Sequence, residues 1–192
     1  MPTMDAQTSA MVVTVLVLAL MGFAAWLFYR QHQSHRLEKH FGSEYHRALD
    51  GHGSRSKAEA ELKAREKRVR QLNIVPLMPD DANRFTQSWK ALQARFVDNP
   101  KGVVAEADQL VRELMARRGY PMADFEHRAA DISVDHPAVV DHYRSAQAIA
   151  ERARRGEAST EDLRKAVVHY RALFDDLLEV VPSTEGSSPL RG

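Results

Sequence analysis

The chain has 192 residues, a formal net charge of +1 and no cysteine. The absence of cysteine excludes disulfides, iron–sulfur clusters, cysteine-ligated zinc and thiol catalysis. The balanced charge provides no overall attraction to nucleic acid, so we expect no nucleic-acid partner.

An uncharged run of twenty residues, 10–29, follows a short N-terminal tail at residues 1–9. As a helix this run is about 30 Å long, which matches the hydrocarbon core of a bilayer. It lacks the basic n-region of a signal peptide, and it is longer than a signal-peptide h-region. We therefore predict a transmembrane helix over residues 10–30. Trp26, Tyr29 and Arg30 are its predicted interface anchors, because amphipathic rings and cations favour the headgroup region.

The basic residues near this run lie on one side of it. No Lys or Arg precedes the run, whereas Arg30, Arg36, Lys39 and Arg47 follow it. Because positive charge is retained on the cytoplasmic side, we expect the N-terminus outside and the C-terminal domain in the cytoplasm. Membrane lipid is then one expected partner.

Residues 31–72 are predicted to be a juxtamembrane and basic helical segment. His32 and His35 share a helical face, but no third ligand follows at a fixed spacing, so we favour a solvated, headgroup-level extension of the helix over a metal site. Leu37, Phe41 and Tyr45 recur every four residues and predict an apolar stripe that lies on the domain or on the membrane surface.

The second half of this segment, residues 54–71, is rich in helix formers, and its apolar residues are too sparse to be buried on their own. Two interpretations stay open: a solvated helix with i,i+4 ion pairs, or contact with anionic lipid. Contact with nucleic acid is a third, and the absence of aromatic stacking residues from the segment argues against it. The cations that lipid contact would use are Arg55, Lys57, Lys63, Lys67, Arg68 and Arg70.

Residues 73–182 repeat apolar residues with helical spacing, and no window alternates with a period of two. An extended strap with two prolines comes first, then a helix capped by Asp80 or Asp81. Asn99 is predicted to cap another helix that ends at Gly119, and Asp135 to cap a later one. The predicted fold is all-α: one N-terminal transmembrane helix, a soluble bundle of about five to six helices, and a disordered tail at 183–192.

No nucleophile motif, P-loop or HExxH motif occurs, so we predict no enzyme activity, no cofactor and no metal site. Asp131, Asp135 and His136 could begin a metal site, but the acidic and imidazole residues of this stretch do not converge on one helical face.

Large polar and aromatic residues near helix ends could dock a partner, although internal ties within the bundle are favoured. These candidates are Arg118, Tyr120, Arg128, Asp135, His136, Tyr143 and Arg144.

The runs RGYPMADFEHRAADISVDHP at 118–137 and GEASTEDLRKAVVHYRALFDDLLE at 156–179 resemble a family of bacterial membrane-anchored helical proteins. The resemblance begins near FGSEY at 41–45 and covers nearly the whole soluble part. It implies a bacterial protein whose soluble part is one unit, and it implies no activity, substrate or cofactor. Gln often stands at the position of His127 in that family, which argues against a metal ligand there.

Together these features predict a non-catalytic accessory or scaffold subunit of a membrane complex, anchored in the bacterial inner (cell) membrane and binding a protein partner. Two alternatives stay open: a tethered ligand- or metal-binding sensor, and an anionic-lipid-binding module.

Overall fold

The computed structural model describes residues 6–178, including the side chains of residues 11–29 and 31–178. Eight α-helices and no strand occur in that part of the chain, so the all-α prediction is confirmed. The helices are α1 (Ala6–Phe41), α2 (Ser43–His52), α3 (Arg55–Val69), α4 (Pro79–Ala94), α5 (Pro100–Arg118), α6 (Phe125–Asp135), α7 (Val140–Arg154) and α8 (Thr160–Leu177). Residues 1–5 and the predicted tail at 183–192 lie outside the described residues.

Helix α1 does not end where the apolar run ends. It continues without a break for 36 residues, or about 54 Å, into the polar extension. Its Met11–Phe41 part is long and apolar enough to span a membrane, and none of its apolar window is buried. The predicted anchors Trp26 and Tyr29 are 51% and 66% exposed. Arg30 belongs to α1, but its side chain lies outside the described residues.

The chain divides between Glu59 and Ala60 into two compact units. The first, which we call the juxtamembrane unit, contains α1, α2 and the first turn of α3. Gly42 separates α1 from α2 with a φ of 52°, a left-handed conformation that favours glycine. Leu37, Phe41 and Tyr45 are all buried, which confirms the predicted apolar stripe.

One buried carboxylate connects the three helices of the juxtamembrane unit. The Oε1 atom of Glu59 accepts hydrogen bonds from Ser34 of α1, from the Tyr45 hydroxyl of α2 at 3.1 Å and from Nε of Arg55 at 3.2 Å. Burial by itself would raise the pKa of Glu59, but these donors outweigh it and the pKa is lowered. Glu59 is therefore held as a carboxylate where the three helices meet.

The second unit, the bundle unit, contains helices α4 to α8 and the rest of α3. Helix α8 packs on α7 and α5, and α4 packs on α5. Trp89 and Phe174 stack in the core with ring centroids 4.7 Å apart. Asn99 caps α5 by accepting from the Gly102 amide, as predicted, and Ser159 and Asp162 form a capping box at α8.

Two predicted helix starts are wrong. Helix α4 begins at Pro79, with Asp80 and Asp81 inside its first turn, because proline at the first helical position needs no amide partner. Asp135 does not cap α7. It is the last residue of α6, and the His136 amide extends the helical pattern by donating to the Ile132 carbonyl at 2.8 Å.

The predicted strap crosses the end of α5 beside Gly119. The Val75 amide donates to the Arg118 carbonyl at 2.9 Å. Gly119 has a φ of 97°, and a Cβ atom there would lie 2.4 Å from the Asn73 carbonyl oxygen. Only a residue without a side chain fits at this crossing.

We expect Gly119→Ala to lower the free energy of unfolding by about 2–4 kcal/mol, because it adds left-handed strain and a backbone clash. Urea unfolding of the full chain in detergent micelles, followed by tryptophan fluorescence, measures the change. Gly51→Ala is the control, since that helical position has nothing within 4 Å of an added Cβ. Equal urea midpoints for the two variants would contradict this account of the crossing.

Candidate functional site

The predicted docking residues separate into two groups in the bundle unit. The first group, the Arg118 cluster, consists of Arg118, Tyr120, Asp135 and His136. Arg118 is 4% exposed. Its Nε donates to the Val75 carbonyl and its Nη1 to the Leu177 carbonyl, both at 3.3 Å. The guanidinium thus connects the end of α5 to the strap and to the end of α8.

His136 extends this cluster to a carboxylate. Its Nε2 lies 3.4 Å from Nη1 of Arg118, and its Nδ1 lies 2.5 Å from Oδ2 of Asp176. A guanidinium can only donate, so we assign Nε2 as the acceptor and place the imidazole proton on Nδ1, where it faces Asp176. The Tyr120 hydroxyl donates to Oδ2 of Asp135 at 3.1 Å. Each of these groups therefore holds two chain segments together.

A cleft of about 410 Å³ opens beside the Arg118 cluster, and we call it the strap cleft. Apolar, positively charged and negatively charged side chains all line the strap cleft. It is lined by Val69, Arg70, Leu72, Ile74, Arg118, Val134, Asp135 and His136. Of the charged lining residues, Arg70 and Asp135 are exposed.

The second group, the Arg128 cluster, connects α6 to α7. Nε of Arg128 donates to the Tyr143 hydroxyl at 3.1 Å, and Arg144 pairs with Glu126 at 2.7 Å. The Phe125 and Tyr143 rings lie 4.9 Å apart. Burial raises the pKa of Tyr143, and the Arg128 guanidinium opposes that shift. Tyr143 is wholly buried.

The burial of the seven candidates favours internal ties over docking for most of them. Arg118, Tyr120 and Tyr143 are buried, so they present no surface to a partner. Arg128, His136 and Arg144 are half-buried, and Asp135 is exposed. Most of the predicted docking residues therefore organise the bundle. Asp135 is the candidate that is most accessible to a partner.

The basic segment is not solvated all round. Helix α3 buries Ala58, Leu62 and Val69 although its apolar residues are few. Arg68 turns inward to Oδ1 of Asp131, with nitrogen–oxygen distances of 2.7 and 2.8 Å. Lys63 is half-buried. The cations of the segment that stay exposed are Arg55, Lys57, Lys67 and Arg70.

The residues considered for a metal site are each held by a different partner. Asp131 pairs with Arg68, Asp135 accepts from Tyr120, and His136 faces Asp176. Within residues 6–178, no group of three or more His, Asp or Glu side chains is placed to hold a metal ion.

Two buried or half-buried polar pairs are not predictable from the sequence. Nδ1 of His142 on α7 lies 2.9 Å from Nδ1 of His169 on α8. The Tyr170 hydroxyl donates to Oδ1 of the buried Asp108 at 3.1 Å. The partners are 27 and 62 residues apart, and no local pattern signals their contact.

Over residues 6–178, the fold and site define an all-α architecture with one candidate membrane helix and a helical bundle whose polar clusters serve mainly as ties. The chain matches no protein-family model, no curated protein and no solved structure. The resemblance to a bacterial family therefore stays a prediction.

We expect acidification to destabilise the contact between α7 and α8. A hydrogen bond between two imidazoles needs one unprotonated ring nitrogen as its acceptor. Burial lowers the pKa of His169, and the nearby His142 lowers it further. The unfolded chain therefore binds a proton at His169 more readily than the folded chain does. The stabilisation from the His142–His169 contact is complete above the ordinary histidine pKa of about 6.5, and it is lost as the pH falls through the lowered pKa of His169.

Urea unfolding of the full chain in micelles between about pH 8 and about pH 5 measures this effect. His169→Gln should reduce the loss of stability at low pH. The matched control is His127→Gln, which replaces an exposed imidazole on α6 and should keep the loss. Identical pH profiles for the parent chain and His169→Gln would refute the assignment.

Proposed function

We propose that this protein is a non-catalytic, single-pass membrane protein whose helical bundle binds a protein partner, as an accessory or scaffold subunit of a membrane complex. The observation that carries the proposal is the unburied apolar window of α1. The bundle core is formed by residues between Leu77 and Leu177. An exposed apolar surface of that size requires lipid or another protein around it.

The orientation follows from the charges beside the span. Arg36, Lys39 and Arg47 are exposed after it, and the sequence has no cation before it. We infer that the N-terminus is outside and the bundle is cytoplasmic. The assignment to a bacterial inner membrane rests in addition on the family resemblance.

The strap cleft is the part of the bundle that best suits a protein partner. Leu72 and Ile74 supply apolar surface, while Arg70 and Asp135 place opposite charges at its exposed edge. Protein interfaces combine an apolar centre with a polar rim in this way. The cleft also lies beside Arg118, which fixes the strap that forms one of its walls.

The full chain at native expression should co-purify with a partner after mild solubilisation, and Arg70→Glu should reduce the recovered partner severalfold by reversing a charge at the cleft. Quantitative mass spectrometry of cross-linked membranes measures the recovery. Arg164→Glu is the matched control, because Arg164, like Arg70, is an exposed arginine paired with a glutamate that is close to it in sequence. A monomer that captures no partner would count against the proposal.

Topology can be tested with a single thiol, since the chain has no cysteine. Ser56→Cys places that thiol at an exposed position of α3. A membrane-impermeant maleimide should label it in lysed cells and leave it unlabelled in intact cells. Labelling in intact cells would reverse the proposed orientation.

A further inference from the structure

Histidines are concentrated in the juxtamembrane unit. Five of the nine histidines of the chain lie between residues 32 and 52. All five are exposed: His32, His35, His40, His46 and His52. His32 and His35 belong to the first turns of α1 after the apolar run. Histidine is the side chain that gains its charge between about pH 8 and pH 5, so this unit is rich in acid-inducible charge.

The Glu59 hydrogen bonds bring the start of α3 to the same level as these turns. Ser34 lies four residues beyond Arg30, or about 6 Å along α1, and it donates to Glu59. Arg55 reaches the same carboxylate. The headgroup layer is about 5–8 Å thick on each side of a bilayer. With the span ending at residue 30, the Glu59 carboxylate that Ser34 and Arg55 share lies at headgroup level, near the turns of α1 that carry His32 and His35. Lys57 is exposed two residues after Arg55.

The charges of the unit are nearly balanced while its histidines are neutral. Glu38 lies 3.7 Å from His35, Asp50 is exposed on α2, and Glu44 and Glu59 are buried beside Arg47 and Arg55. Protonation of His32 and His35 would raise the net charge of the unit by two, and Glu38 is the acid that lies beside His35. In the described part of the unit, the exposed side chains that are cationic whatever the charge of the histidines are Arg36, Lys39, Arg47, Arg55 and Lys57.

We propose that His32, His35, Arg55 and Lys57 form a surface that binds anionic lipid headgroups and that binds them more tightly as the pH falls. The inference rests on the proposed membrane anchoring and names the lipid class that the anchored protein contacts. Anionic headgroup phosphates are the matching partner, because a positive charge near such a surface favours contact by about fivefold. Protonation of two histidines then favours the docked state by up to about 25-fold.

A nitroxide on the single thiol of Ser56→Cys tests the proposal in the full chain. The labelled chain is reconstituted in nanodiscs of phosphatidylcholine, with or without about one quarter phosphatidylglycerol. The relative accessibility of the label to oxygen and to a water-soluble nickel complex reports its depth. Between about pH 7.5 and pH 5.5, the label should move toward the lipid in the anionic discs and not in the neutral ones. High salt should reverse the movement.

The double variant His32→Gln, His35→Gln should lose most of the acid-dependent movement, whereas His127→Gln on α6 should retain it.

Inorganic phosphate added to neutral discs should have no effect, and a shift there would reassign the site to free phosphate and overturn the lipid proposal. Equal depths in the two lipid mixtures, or an acid response that survives in the double variant, would also overturn it. Separation of the chain from the discs on gel filtration would instead refute membrane anchoring, and the lipid surface with it.

Discussion

Three helices of the juxtamembrane unit share one oxygen atom, Oε1 of Glu59. A buried carboxylate is costly unless donors surround it, and here they come from Ser34, Tyr45 and Arg55. Loss of any of these donors leaves charge less compensated in a buried site. The chain must therefore turn back after α1 so that α3 begins beside the turn that follows the apolar run. The placement of Arg55 and Lys57 relative to α1 depends on this constraint.

Helix boundaries set by local chemistry could be predicted from the sequence. Asn99 with Pro100 begins α5, Gly119 ends it, and Ser159 with Asp162 begins α8. The end of α1 could not be read from the end of its apolar run, because polarity marks where lipid stops and not where the helix stops. The helix continues until Gly42, whose positive φ breaks it.

The candidate site was harder to predict because its contacts are distant in sequence. The chemical type of Arg118 suggested either docking or a tie, and the choice depended on partners 43, 18 and 59 residues away, at Val75, His136 and Leu177. Local sequence predicts Asp135 as a helix cap, whereas its carboxylate accepts a hydrogen bond from the Tyr120 hydroxyl. Spacing along one helix says nothing about which loop or helix supplies the partner.

The two units use histidine differently, and under the proposed lipid contact this difference separates the stability of the bundle from membrane binding. His136, His142 and His169 bridge segments of the bundle, so their imidazoles belong to contacts on which the fold depends. His32 and His35 are exposed on a continuous helix, and they can gain charge without breaking a core contact. A membrane protein that responds to acid while staying folded needs its titrating groups on such a surface. The juxtamembrane unit meets that requirement, since its buried charges, Glu44 and Glu59, are already paired with Arg47 and Arg55.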